Sequence, residues 1–322
     1  MTTPSLAAKR SLVVAIAALS LTAGLAAQAP SGAAPKPAGS STKYVPPRLP
    51  DGQPDMQGAY TGPDSSRDLD KTAPTYGGSE KGERGLGGNV PAYDSIWAID
   101  RPSQALDANG QRSNRLNGPR VIEPLDKLPY QPWAVQKKLD VFKGYMLDAQ
   151  GDVTNIDPMV RCLPEGPPRS NMLLQYNGYQ IVQPPGYVII LSEMSHIYRI
   201  IPLEPRAHLT KNIKLYRGDS RGHWEGNTLV VDTTNSMGKG WLDMSGSFYS
   251  DALHVVERYT LVGPNRIEYE ATVEDPKVFT QPFKLASFFD RGAKDYEIYE
   301  YACQEGNHAV ENLMSRQKNS TK

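Results

Sequence analysis

The feature that most constrains this chain is a succession of short, β-branched and aromatic segments in its second half, with no helical stretch between them. They occupy residues 179–183, 187–193, 197–203, 222–225, 228–234, 254–262, 266–274, 284–290 and 297–303. Turn residues separate most of them: Pro184-Pro185-Gly186, Gly226-Asn227, Gly263-Pro264-Asn265 and Arg291-Gly292. Parallel strands need long, usually helical crossovers, so this spacing excludes a βαβ sheet and predicts an antiparallel up-and-down meander. A meander of this size hides its edges by closing. The expected fold is therefore mainly β, either a lipocalin-like barrel or a two-sheet sandwich.

Two hairpins predict the register. Gly and Asn tolerate the positive φ of a tight type I′ turn, so Gly226-Asn227 pairs Glu225 with Thr228, Trp224 with Leu229 and Arg221 with Asp232. Arg221 and Asp232 are then expected as a cross-strand ion pair. In the next hairpin, pairing Leu261 with Ile267 gathers Val255, Tyr259, Leu261, Ile267, Tyr269, Ala271 and Val273 on one face, with Glu257 among them. A carboxylate on an apolar face is raised in pKa unless it is paired, and is a functional candidate. If the other face is the buried one, His254 and Arg258 point inward instead.

The rest of the chain divides by composition. Lys9 and Arg10 precede an apolar run ending in small residues near Ala26, the pattern of a secretory signal over 1–28. That run is short for a membrane span, and no other approaches the length one needs. Residues 29–55, rich in Pro, Ala, Gly and Ser, read as a disordered linker. Residues 56–127 read as loop-rich, with a few short strands. A helix is predicted over 132–149, with Val135, Leu139, Phe142 and Met146 on one face. The barrel domain is expected over 128–310 and a tail over 311–322.

The chain carries 35 basic and 35 acidic residues. Loss of the signal leaves a slight acidic excess, which excludes a broad nucleic-acid binder and shows no polybasic membrane patch. Two cysteines in an exported chain most simply form one disulfide, Cys162 with Cys303. The five histidines form no metal-binding motif, and neither a phosphate-binding loop nor a dinucleotide fingerprint is present, so no metal and no cofactor is expected.

Four strings carry a resemblance: Cys162-Leu-Pro-Glu-Gly-Pro-Pro-Arg169, the stretch from Gly218 to Asp232, Leu253-His-Val-Val-Glu-Arg258, and Tyr299-Glu-Tyr-Ala-Cys-Gln-Glu-Gly-Asn307. Together they resemble a family of uncharacterised exported proteins of soil bacteria, over roughly residues 128–307. The resemblance implies export and a small β-rich fold. It supplies no catalytic residues.

The polar groups that the meander can bring together define the functional expectations. Asp219, Arg221, Trp224 and Asp232 lie on one hairpin, His254, Glu257 and Arg258 on the next long strand, and Glu193 and His196 flank a further turn. The leading expectation is a periplasmic or secreted barrel that holds a small apolar or amphipathic molecule, with Asp219, Arg221, Trp224, Arg258, Glu193 and His196 as contacts. One alternative is a cofactor-free lyase, isomerase or hydrolase using His254 with Asp232 or Glu257 as an acid–base pair. Another is a structural or interaction protein of the envelope.

Overall fold

The computed structural model describes residues 44–62, 120–124, 128–146, 152–171, 178–243 and 246–315. The signal expected over 1–28 and most of the expected linker lie outside them. The elements run, in chain order, β1 (Gly58–Thr61), β2 (Arg120–Glu123), α1 (Pro132–Met146), β3 (Gly178–Val182), β4 (Tyr187–Ser192), β5 (Ile197–Pro202), β6 (Asp219–Glu225), β7 (Thr228–Thr234), β8 (His254–Gly263), β9 (Arg266–Glu274), β10 (Phe283–Arg291) and α2 (Ala309–Ser315).

All strand pairs are antiparallel, and the sheet order is β5-β4-β3-β1-β10-β9-β8-β7-β6. The two end strands, β5 and β6, face each other, so the order around the wall follows the chain: a nearly closed up-and-down barrel rather than a sandwich. The first strand pairs with the last, and β10 is saturated. One edge meets β9; the other is shared by β2 at Lys284–Ala286 and β1 at Asp290 and Arg291. The wall thus draws on residues N-terminal of position 128. The same saturation explains why the strand expected over 297–303 does not form: no ladder edge of β10 is left for it. That segment runs outside the wall instead, with Tyr301 N–H donating to His196 Nδ1 at 3.3 Å.

Both predicted registers are present. Trp224 pairs with Leu229 and Arg221 with Asp232 across β6 and β7, around Gly226 at φ 63°. Leu261 pairs with Ile267 across β8 and β9. Inward residues along these two strands run Val255, Glu257, Tyr259, Leu261 and Ile267, Tyr269, Ala271, Val273, all buried. His254 and Arg258 stand on the outer face. Helix α1 turns a different face inward from the one expected: Ala134 and Lys138 are buried and Val141 packs on the core, while Val135 is exposed. The 3.6-residue period holds but its phase moves by one residue. The side chains of Leu139, Phe142 and Met146 lie outside the described set.

No ladder among the described residues joins β5 to β6; side chains close that seam. Arg199 Nε donates to Ser220 Oγ at 3.0 Å and its Nη2 to Thr233 Oγ1 at 2.7 Å. Gly222 admits the close approach: a Cβ there would lie 2.7 Å from Ile201 Cγ2 and 3.0 Å from Leu203 Cδ2. Arg217 Nη1 donates to the carbonyl of Tyr198, a free-edge acceptor of β5. The disulfide is formed as expected, Cys162 to Cys303 with Cα atoms 5.6 Å apart, and ties the segment before β3 to the segment after β10. Closing a loop of 141 residues stabilises the fold by up to about 5 kcal/mol in the chain-entropy account.

Candidate functional site

Inside the barrel, β5, β7, β8 and β9 converge on a layer of polar side chains. At its centre is Glu257, 0% exposed, opposite Arg199, 6% exposed. Arg199 Nη1 donates to Glu257 Oε1 at 2.9 Å and Nη2 to Oε2. Three further donors reach Oε1: Asn171 Nδ2 at 2.7 Å, Tyr259 OH at 2.9 Å and Tyr269 OH at 3.0 Å. Asn171 sits in the turn after Arg169, so the 162–171 string drops a side chain onto the strands from outside the sheet. Ser220 and Thr233, 3.0 Å apart, complete the far side of Arg199.

The electrostatics follow from burial and pairing. Burial alone would depress Arg199, but Glu257, Tyr259 and Tyr269 together outweigh it and hold the guanidinium above its ordinary value. Burial, then Glu257, push the phenols of Tyr259 and Tyr269 well above 10, so both are neutral donors. The layer is a neutral, fully buried network, flanked by Val255 and Val273 on one side and Leu261 and Ile267 on the other.

A second charged group overlies it. Arg169, buried, holds Asp157 through two hydrogen bonds of 2.9 and 2.8 Å. Its Nε lies 2.9 Å from Glu165 Oε1, an ion pair out of line for a hydrogen bond. Burial pushes the Glu165 carboxyl up to about 7 against the pull of Arg169. Arg217 Nε donates to the Glu165 carbonyl at 2.9 Å. Burial, then the nearby Arg199 cation, bring Arg217 down to about 10.

The remaining expected site residues sort into separate places. On the outer face of β6, β7 and β8, Asp232 accepts from two imidazoles: His208 Nε2 stands 2.9 Å from Oδ1 and His254 Nε2 3.0 Å from Oδ2. His208 Nδ1 lies 3.1 Å from Asp219 Oδ2, so the 203–218 connection is strapped to the wall. Arg221 pairs with Asp219 at 2.6 Å and not with Asp232, whose oxygens the histidines occupy; the expected cross-strand pair is replaced by one along β6. The hydrogen bond from His254 lowers Asp232, and the same bond raises His254 against a smaller effect of burial. Trp224 packs on the core and donates Nε1 to Gln53 Oε1 at 2.9 Å. Arg258 holds Glu225 on the outer surface at 2.9 Å. Glu193 accepts from Gly178 N–H at 3.2 Å, and His196 is exposed.

The wall therefore separates His254 and Asp232, outside, from Glu257, inside. His254 with Asp232 stands as an outer dyad, and a His254–Glu257 pair does not form. Arg199, Asn171, Tyr259, Tyr269 and Arg217 were missing from the sequence-based set. Arg199 carried no clear signal, because both parities of its strand are apolar. Asn171 carried none, being in a turn. No group of three or more metal-ligating side chains stands together among the described residues.

No protein-family model matches the chain, and no curated protein does. Among solved structures, the chain is similar to the REP1-NXSQ fatty acid transporter at 8% identity, over 37% of this chain and 72% of that one, with a TM-score of 0.24. It is also similar to a mutant of the fluorescent protein UnaG at 10% identity, over 37% of this chain and 73% of that one, with a TM-score of 0.22. Scores this low carry no argument about function.

Proposed function

We propose that the barrel of this protein binds a small, mostly apolar molecule in its interior, with the Glu257–Arg199 layer as the polar contact that orients it. The observation that supports this is the layer itself. A buried ion pair with its hydrogen-bonded neighbours contributes little net stability over well-packed apolar residues, so a barrel selected only to fold has no need of one. An apolar interior with a few convergent polar groups is the usual form of a small-molecule site. The phenols of Tyr259 and Tyr269 and the amide of Asn171 are groups that can turn from Glu257 to a ligand's polar atom. Acid–base chemistry pairing His254 with Glu257 is not part of this reading, because the two stand on opposite faces of the wall.

Titration with N-phenyl-1-naphthylamine, a neutral apolar fluorophore, tests the proposal. Saturable, one-site enhancement is expected, and Ala271→Leu, which fills the interior beside Glu257, is expected to weaken it. Enhancement that fails to saturate, or that Ala271→Leu leaves unchanged, overturns interior binding.

A further inference from the structure

We propose that Arg217 is the docking point for the anionic group of an amphipathic ligand, a carboxylate, sulfonate or phosphate, at the rim of the polar layer. This deepens the reading of the barrel as a small-molecule binder and rests on it.

The two other arginines at the layer are each neutralised by a carboxylate: Arg199 by Glu257 and Arg169 by Asp157. Arg217 is held differently. Its Nε donates to the Glu165 carbonyl and its Nη1 to the Tyr198 carbonyl. These bonds fix the plane of the guanidinium and go to neutral carbonyls rather than to a carboxylate. Among the described residues, no carboxylate stands within ion-pair distance of it, and both N–H bonds of Nη2 lack an acceptor. A braced guanidinium with a free edge is suited to two-point recognition of a carboxylate or related anion.

Its position is set by the two chain segments it joins. Tyr198 is the residue before Arg199 on the free edge of β5, and Glu165 belongs to the string that ends in Arg169 and leads to Asn171. A Cβ at Gly166 would lie 3.3 Å from Arg217 Cα, so the two backbones meet in close contact. Arg217 is near enough to the interior to feel Arg199, Glu257 and Tyr259 electrostatically, yet it is only partly buried. An anion bound there sits beside the seam between β5 and β6, where no backbone ladder forms among the described residues.

The test compares two probes with one aromatic frame: N-phenyl-1-naphthylamine, which is neutral, and 8-anilinonaphthalene-1-sulfonate, which adds an anion. Wild-type protein is expected to bind the sulfonate about tenfold more tightly, the scale of one charge-assisted hydrogen bond. Rising salt is expected to erode that advantage. Arg217→Gln is expected to abolish the preference, read as the ratio of the two affinities, and Arg217→Lys, which keeps the charge but loses the fork, to retain part of it. If Arg217→Gln fails to fold, Arg217→Lys and the salt series decide: an advantage indifferent to both overturns the proposal. Equal affinity for the two probes, or an advantage that survives in Arg217→Gln, also overturns it and leaves interior binding standing. If neither probe binds wild-type protein, interior binding falls and this inference falls with it.

Discussion

Arg199 on β5 and Glu257 on β8 meet inside the barrel as a two-point ion pair, with Nη1 2.9 Å from Oε1, and both side chains are buried. The pair spans the barrel from the strand at the open seam to the middle of the wall, so it joins closure of the fold to the chemistry of the interior.

Breaking that pair from one side should cost far more than removing it whole. Glu257→Ala leaves a buried cation facing two phenols and is expected to lower unfolding free energy by about 3–5 kcal/mol. The double change Arg199→Met with Glu257→Leu is expected to recover most of the loss. Urea unfolding of Arg199→Met, Glu257→Leu and the double variant measures the coupling directly.

The seam depends on the missing side chain at position 222. Gly222→Val must displace Ile201 or Leu203, and overpacking of this kind costs about 1–3 kcal/mol. The loss should appear as faster amide exchange along β5 and β6, with β8 and β9 protected as before. Uniform loss of protection through the sheet would contradict a seam closed locally by side chains.

The outer pair has its own pH window. Asp232, lowered from 3.8, contributes stability above that value and loses it as pH falls through the lowered one. His254, raised from 6.5, contributes fully below 6.5 and loses its contribution as pH rises through its raised value. The pair is therefore strongest between 3.8 and 6.5, with Glu274 on β9 and His208 on the 203–218 connection as its charged neighbours. Asp232→Asn is expected to return the His254 midpoint toward 6.5, read by NMR titration of the imidazole protons. An unchanged midpoint would show that the 3.0 Å contact does not control it.

Glu165 acts in the opposite direction. Its folded pKa of about 7 lies above the ordinary 4.5, so ionisation favours unfolding, and stability falls as pH rises from 4.5 to about 7. The loss is on the order of 3 kcal/mol. Glu165→Gln is expected to flatten this dependence, seen as a smaller difference between urea midpoints at the two ends of that range. A variant whose pH dependence matches wild type would place the titrating group elsewhere.

What the sequence disclosed follows from where side-chain parity is informative. In β8 and β9 nearly every apolar residue lies on one parity, so the register and the inward position of Glu257 could be read directly. In β5 both parities are apolar: Ile197 and Ile201 face inward, while Tyr198 and Ile200 are 63% and 50% exposed. Arg199 was hidden by that symmetry. The strand expected over 297–303 has the composition of a strand but no partner, because β1 and β2 from the N-terminal part of the chain occupy the edge it would need. Asn171 and Arg217 act from turns and a connection, where no period links sequence to direction. The pairing of Arg221 with Asp219 depends on His208 taking Asp232, a competition that no pairwise register reveals.

The most direct test of interior binding is an NMR titration with N-phenyl-1-naphthylamine, following the Arg199 Nε–H and the ring protons of Tyr259 and Tyr269. The account predicts saturable shifts of these inward groups, with the outer imidazoles of His208 and His254 unmoved. Shifts confined to the outer imidazoles, or no saturable shift in the polar layer, would contradict it.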